Sequence, residues 1–207
     1  MSGAARQSLV VEWGSAGVPI EGEVESGDAH VVVGFPYGVL VGLVDGLGHG
    51  SEAAAAAREA IRLLEAHAGE PVLDLVERCH EALRHTRGAV MSLASFDARV
   101  ASITWIGVGN VEGILLRAPG AAAPSRESIA LRGGIVGYRL PPLTAATLCV
   151  SPGDTLVMAS DGIRSGFVAH LAARDDPQEM AESILARYAR GSDDALVLVA
   201  RYVGAAP

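Results

Sequence analysis

Val39-Leu40-Val41-Gly42-Leu43-Val44 runs without a polar side chain into Asp45-Gly46-Leu47-Gly48-His49-Gly50, and at Ser51 the periodicity changes. The apolar run reads as a central strand covered on both faces, because a strand with one wet face would alternate. Beyond Gly50, Ala53, Ala56, Ala57, Ala60, Ile61 and Leu64 recur every three to four residues, which predicts an amphipathic helix opened by Ser51 and Glu52. A buried strand that ends in an acid, turns through glycines and enters a helix sets the frame for the rest of the chain.

Upstream, His30 to Phe35 is a second β-branched run, separated from Val39 by Pro36, Tyr37 and Gly38, which is hairpin spacing. Leu9 to Trp13 reads as a short first strand, and Gly14 to Gly27, with its glycines, glutamates and Pro19, as a turn or exposed hairpin. Downstream, Val72, Leu75, Val76, Cys79 and Leu83 predict a second helix that starts near Pro71 and ends before Gly88. Val90 to Phe96, Val100 to Ile106 and Val111 to Arg117 then read as an antiparallel meander. Ala118 to Ser128 has the composition of a loop, and Ser128 to Leu131 and Ala146 to Val150 are weaker strands flanking a Gly/Pro-rich crossing. Asp154 to Ala159 is a strong strand, Pro177 to Tyr188 a helix and Ala195 to Val203 the closing strand. Strands in blocks and helices in pairs predict an α+β fold with mostly antiparallel sheets.

The 207 residues are half hydrophobic and 19% charged, which excludes a disordered chain and suits a single domain over residues 1–207. A formal charge of -8, with no basic cluster, speaks against nucleic acid and anionic membrane as partners. Sixteen arginines and no lysine exclude a P-loop lysine and Schiff-base chemistry. Cys79 and Cys149 are far apart, outside any C-x-x-C pair, and read as core residues. Met1 to Leu9 does not resemble a signal peptide and no apolar run reaches the ~18 residues of a membrane span, so a cytoplasmic protein is expected.

Acidic residues recur at strand ends. Val39 to Val44 runs into Asp45-Gly46 and Thr155 to Ser160 into Asp161-Gly162, while Gly27-Asp28 and Asp193-Asp194 each precede a strand. In antiparallel sheets these ends converge on one edge, and convergent carboxylates call for a cation. Oxygen ligands without cysteine or a spaced histidine pair favour magnesium or manganese. Asp154, in Ser151-Pro152-Gly153-Asp154, reads as an ordinary turn residue. Other motifs fail on spacing: Gly46-x-Gly48-x-Gly50 is not G-x-G-x-x-G, His80 and His85 lie five apart where a zincin needs four, and neither Ser15 nor Ser165 has a G-x-S-x-G frame.

The ordered series Ser26-Gly27-Asp28, Val44-Asp45-Gly46-Leu47-Gly48-His49-Gly50, Pro152-Gly153-Asp154, Ser160-Asp161-Gly162 and Asp193-Asp194 resembles the metal-dependent protein phosphatase (PPM) family in its SpoIIE-like bacterial branch, and within it the stressosome phosphatases. The resemblance implies a four-layer α-β-β-α sandwich, two sheets flanked by helix pairs, with two divalent cations, manganese or magnesium, at one edge. It implies that Asp45 bridges the cations, that the Gly46 carbonyl binds one, and that Asp161 and Asp193 bind the other. Asp193 is favoured over Asp194 as the ligand, and Asp28 would orient the attacking water. The expected activity is serine/threonine phosphoprotein hydrolysis without a covalent enzyme intermediate. His49 reads as a loop-ordering group, with general acid catalysis as the alternative. The implied substrates are phosphorylated STAS-domain proteins of the stressosome, with a free anti-anti-sigma factor, or a catalytically silent binding module, as alternatives. With no sensor segment in the sequence, control is expected through the supply of phosphorylated substrate. Eukaryotic relatives carry an arginine on the first strands, and Leu9 to Phe35 has none.

Overall fold

The computed structural model describes residues 10–120, 124–167 and 175–204. The central strand of the sequence is β3 (Gly38–Gly46), and β2 (Asp28–Phe35) pairs with it antiparallel around a turn in which Tyr37 takes φ 69°. The strand β1 (Val11–Val18) precedes them, and the helices α1 (Ser51–Ala66) and α2 (Val72–Ala82) follow. The remaining elements are β4 (Ala89–Asp97), β5 (Ser102–Val108), β6 (Glu112–Leu116), β7 (Arg126–Glu127), β8 (Ala146–Cys149), β9 (Thr155–Ala159), α3 (Pro177–Tyr188) and β10 (Ala195–Tyr202).

Two five-stranded antiparallel sheets result, with orders β2-β3-β4-β5-β8 and β1-β10-β9-β6-β7. The alternation along β3 shows how one sequence serves two layers. Val39, Val41 and Leu43 point between the sheets, where Leu156, Met158 and Leu198 of the other sheet meet them. Leu40 and Val44 point the opposite way, onto Ala56, Ala57, Ala60 and Leu64 of α1. Outside the second sheet, Met180, Ala181 and Ile184 of α3 cover Val157, Val197 and Val199. The α+β sandwich expected from the sequence is therefore present, with α1 and α2 on one side and α3, among the described residues, on the other.

Four sequence readings need correction. The segment from Gly14 is strand up to Val18 rather than the start of a turn, while Leu9 lies outside the described residues. Its glycine marks packing: a β-carbon on Gly14 would stand 2.4 Å from the Gln178 backbone, so α3 can lie on β1 only if that side chain is absent. The expected meander stops at β5. After Gly107 to Asn110 the chain crosses to the other sheet, where β6 pairs with β9. Ser128 to Leu131 is irregular, and the short strand lies at Arg126–Glu127, within the expected loop, of which residues 121–123 are outside the description. Cys79 is buried as expected, but Cys149 is exposed on the edge strand β8. None of the helices among the described residues is long and apolar enough to cross a membrane.

Candidate metal centre

Because β2 and β3 pair antiparallel, Asp28 lies directly opposite Asp45. Like charges in that position repel, and the two sheets add more of the same sign. Asp161 follows β9 and Asp193 precedes β10. Asp45, Asp161 and Asp193 all line one cleft of about 530 Å³, together with Leu47, Gly48, His49 and Asn110. Ser160 fixes one sheet to the other: its hydroxyl donates to Asp28 Oδ2 at 2.6 Å and accepts from the Leu196 N–H at 2.9 Å.

The electrostatics follow from this placement. Burial, reinforced by Asp28, Asp161, Asp193 and Asp194, pushes the Asp45 carboxyl up from 3.8 to about 8. Burial also raises Asp28, to about 7, against the opposing Ser160 hydrogen bond. Asp193 is raised too, by burial first and by Asp161 and Asp194 after it. A folded state that binds these protons more tightly than the unfolded chain gains stability from them below about pH 4 and loses that gain as pH rises through about 7 to 8. Thermal denaturation in chelator should therefore show the melting temperature falling between pH 5 and pH 8, and a divalent cation should flatten the slope. A melting temperature that rises over this interval in chelator would contradict the cluster's repulsion.

The side chains stand within electrostatic reach, but not gathered: among the described residues no group of three or more His, Cys, Asp or Glu is arranged to hold a metal ion. Asp28 is turned to Ser160, and Asp161 Oδ2 accepts from Asn110 Nδ2 at 2.7 Å. The donor set still suits a hard divalent cation, since it is all oxygen and its charges repel until a cation neutralises them. Asp194 has a different role. Its two oxygens accept from the Ile20 and Gly27 N–H groups at 2.9 and 2.8 Å, and it is 3% exposed, so it staples the loop between β1 and β2. That leaves Asp193 as the carboxylate of the pair that reaches the cleft.

The two Asp-Gly pairs are not turns of convenience. A β-carbon on Gly46 would lie 2.2 Å from the Ala53 carbonyl oxygen, and one on Gly162 1.9 Å from that of Asp194. Both glycines let another element press against the residue beside an acid. Gly162→Ala should separate the Asp161 turn from the Asp193 segment, lowering manganese affinity by at least about tenfold, since roughly 1.4 kcal/mol of lost interaction suffices. Calorimetric titration with manganese checks this, and an unchanged affinity would show that the close approach is unimportant.

Sequence reasoning missed Asn110, the chain's one asparagine, whose contact with Asp161 exists only because β6 joins the other sheet. His49 is exposed, and its Nδ1 lies 2.9 Å from Glu23 Oε1, tying the Gly-rich loop to the β1–β2 loop as a loop-ordering residue would. His80 is structural, its Nδ1 accepting from the Gly137 N–H. Asp154 sits at the opposite end of the sheets in a Ser151 turn, buried against the partly exposed Arg117.

Known proteins resemble the chain over most of its length. The family profile described as stage II sporulation protein E (SpoIIE) matches residues 36–203. Phosphoserine phosphatase RsbX of Bacillus subtilis (strain 168) is 27% identical over 168 residues, covering 79% of this chain and 81% of that protein. A solved chain from a structural study of the bacterial stressosome, described as a modular system adapted to control secondary messenger signalling, is 34% identical with TM-score 0.83, covering 92% of this chain and 99% of its own. A crystal structure of RsbX in complex with magnesium shares the fold at TM-score 0.81 and 23% identity, covering 92% of this chain and 94% of its own.

Proposed function

The chain belongs to the SpoIIE family of PPM-type protein phosphatases, and on that footing we propose that it hydrolyses phosphoserine and phosphothreonine on STAS-domain proteins of the stressosome, using two divalent cations. The observation that carries the catalytic part is the convergence of Asp28, Asp45, Asp161 and Asp193 on one sheet edge, with Asp28 and Asp45 raised to about 7 and about 8. In this reading the residues that would hold the cations are Asp45, the Gly46 carbonyl, Asp161 and Asp193. Magnesium or manganese would supply charge neutralisation for the phosphoryl oxygens and a more acidic attacking water.

The protein's own residues do the rest. Ser160 holds Asp28 at 2.6 Å, which orients that carboxylate for hydrogen bonding to the attacking water. Asn110 holds Asp161 in place by donating to its Oδ2. Leu47 and Val90 form apolar parts of the cleft wall. The retained carboxylates disfavour a silent binding module, and we place the protein in the cytoplasm as one 1–207 phosphatase domain.

The substrate assignment draws on the similarity to RsbX and to the stressosome-study chain. Incubating the protein with phosphorylated stressosome proteins and, separately, with a phosphorylated free STAS domain, then following each phosphosite by mass spectrometry, tests it. Loss of phosphate from the stressosome proteins, absent with Asp45→Asn, is the expected result. Efficient loss from the free domain alone would replace the stressosome with an anti-anti-sigma factor as target.

A further inference from the structure

Among the described residues no Arg or Lys lines the cleft containing Asp45 and Asp193, and its His49 is engaged by Glu23. The first strands supply no cation either, since Leu9 to Phe35 contains no Arg or Lys. Arg87, whose guanidinium lies against Gly48, is already paired with Glu52. A substrate phosphoryl group must still be oriented among four carboxylates that repel it.

A second cleft of about 400 Å³ opens on the far side of Asn110 and Asp161, which line both spaces. Ser160, Ser165 and Arg190 also line it, and Arg190 is the cation of that lining. Among the described residues no carboxylate lies within ion-pair distance of Arg190, nor of Arg132, Arg139 or Arg164, and of these four it is Arg190 that lines the cleft. Glu112 faces the same cleft without pairing with it. The side chain is exposed but its base is fixed. The Arg190 N–H donates to the Gly162 carbonyl at 2.8 Å, Ile163 and Ala189 form a β-bridge, and the Arg164 N–H donates to Tyr188. The guanidinium is thus carried on a rigid junction one residue from Asp161.

We propose that Arg190 is the phosphate-binding arginine of this protein, reaching from the second cleft to the phosphoryl oxygens of a substrate seated beside Asp161. An arginine fork matches two phosphoryl oxygens at once and keeps its charge at any working pH. The position, after α3 and just ahead of Asp193, places the guanidinium beside the strand-end carboxylates. The inference rests on the phosphatase reading and is tested separately from it.

The test compares the full-length, manganese-loaded wild type with Arg190→Ala and Arg190→Lys. Charge-assisted hydrogen bonds of about 1.5–3 kcal/mol correspond to roughly 10- to 100-fold. Arg190→Ala should therefore raise both the KM for para-nitrophenyl phosphate and the dissociation constant of inorganic phosphate, read by calorimetry, by at least about tenfold. Manganese affinity should stay unchanged, and Arg190→Lys should recover part of the phosphate affinity. Unchanged phosphate affinity in Arg190→Ala would overturn the proposal, as would an effect confined to phosphoprotein substrates, which would assign Arg190 to the flanking chain. Inactivity of the wild type would strike the phosphatase reading instead, and the calorimetric comparison would still decide the role of Arg190.

Discussion

Asp45→Asn should lose nearly all turnover and, in chelator, melt at a higher temperature than the wild type. The two effects share one cause. Asp45 faces Asp28 across β2 and β3, and Asp161, Asp193 and Asp194 add negative charge at the same edge. Removing its charge removes the centre of the repulsion, and with it the carboxylate proposed to hold both cations. Losing the cations' share of transition-state stabilisation, several kcal/mol, lowers kcat on the order of 10³-fold. In the chelated protein, relief of a carboxylate held near pKa 8 should be worth on the order of 2–4 kcal/mol at pH 8. For a chain of this size that is a rise of roughly 5–10 °C. The gain should shrink towards pH 5, where Asp45 is already protonated. Turnover assays and melting curves at pH 5 and pH 8 check both halves. An inactive variant that also melts lower at pH 8 would mean that Asp45 is a structural acceptor rather than a member of a repulsive cluster.

Asp154→Ala should do the opposite, destabilising the fold while sparing the chemistry. Asp154 is 1% exposed and accepts from Arg117 Nη1 at 2.7 Å, from the Ala118 N–H at 2.8 Å and from the Ser151 N–H at 3.1 Å. Arg117 also binds Glu127 and the Cys149 carbonyl, so the network joins β6, β7, β8 and β9. Taking away Asp154 leaves the Ala118 and Ser151 N–H groups without their acceptor and Arg117 with Glu127 as its remaining counter-charge, at a cost of about 3–5 kcal/mol. A fall of roughly 10 °C in melting temperature follows. Asp154 lies at the end of β9 away from Asp161, so kcat per folded molecule should remain within about twofold of wild type, the scale of a distant and independent site. A variant as inactive as Asp45→Asn at a temperature where it is folded would show coupling between the two ends.

These two aspartates also show what a sequence can and cannot reveal. Asp45 and Asp161 are legible because each interrupts an apolar strand at its end, a placement that packing would not select. Asp154 follows Pro152-Gly153 and has the local signature of a turn, which it also forms. Its burial depends on Arg117, 37 positions earlier, reaching it across strands. No local pattern carries that information. The same holds for Asn110. The sequence places Val111 to Arg117 after two antiparallel strands, and continuing the meander is the simplest topology. Only the packing of Gly113 over the Trp105 ring and the pairing of β6 with β9 take the strand to the other sheet and bring Asn110 to Asp161. Gly14 misled for a related reason, since a glycine in a strand and a glycine in a turn look alike until the neighbouring helix is known. Helix α3, by contrast, was readable to the residue, because Asp176 caps it through its side chain and Pro177 opens it.

The strand-end carboxylates are expected to make this chain a phosphatase only when they hold divalent cations. Phosphate release from a phosphoserine peptide, measured first in excess EDTA and then after stepwise return of manganese, tests it most directly. No release above background is expected in EDTA, with recovery that saturates with manganese in the wild type but not in Asp45→Asn. Full activity in EDTA would contradict it.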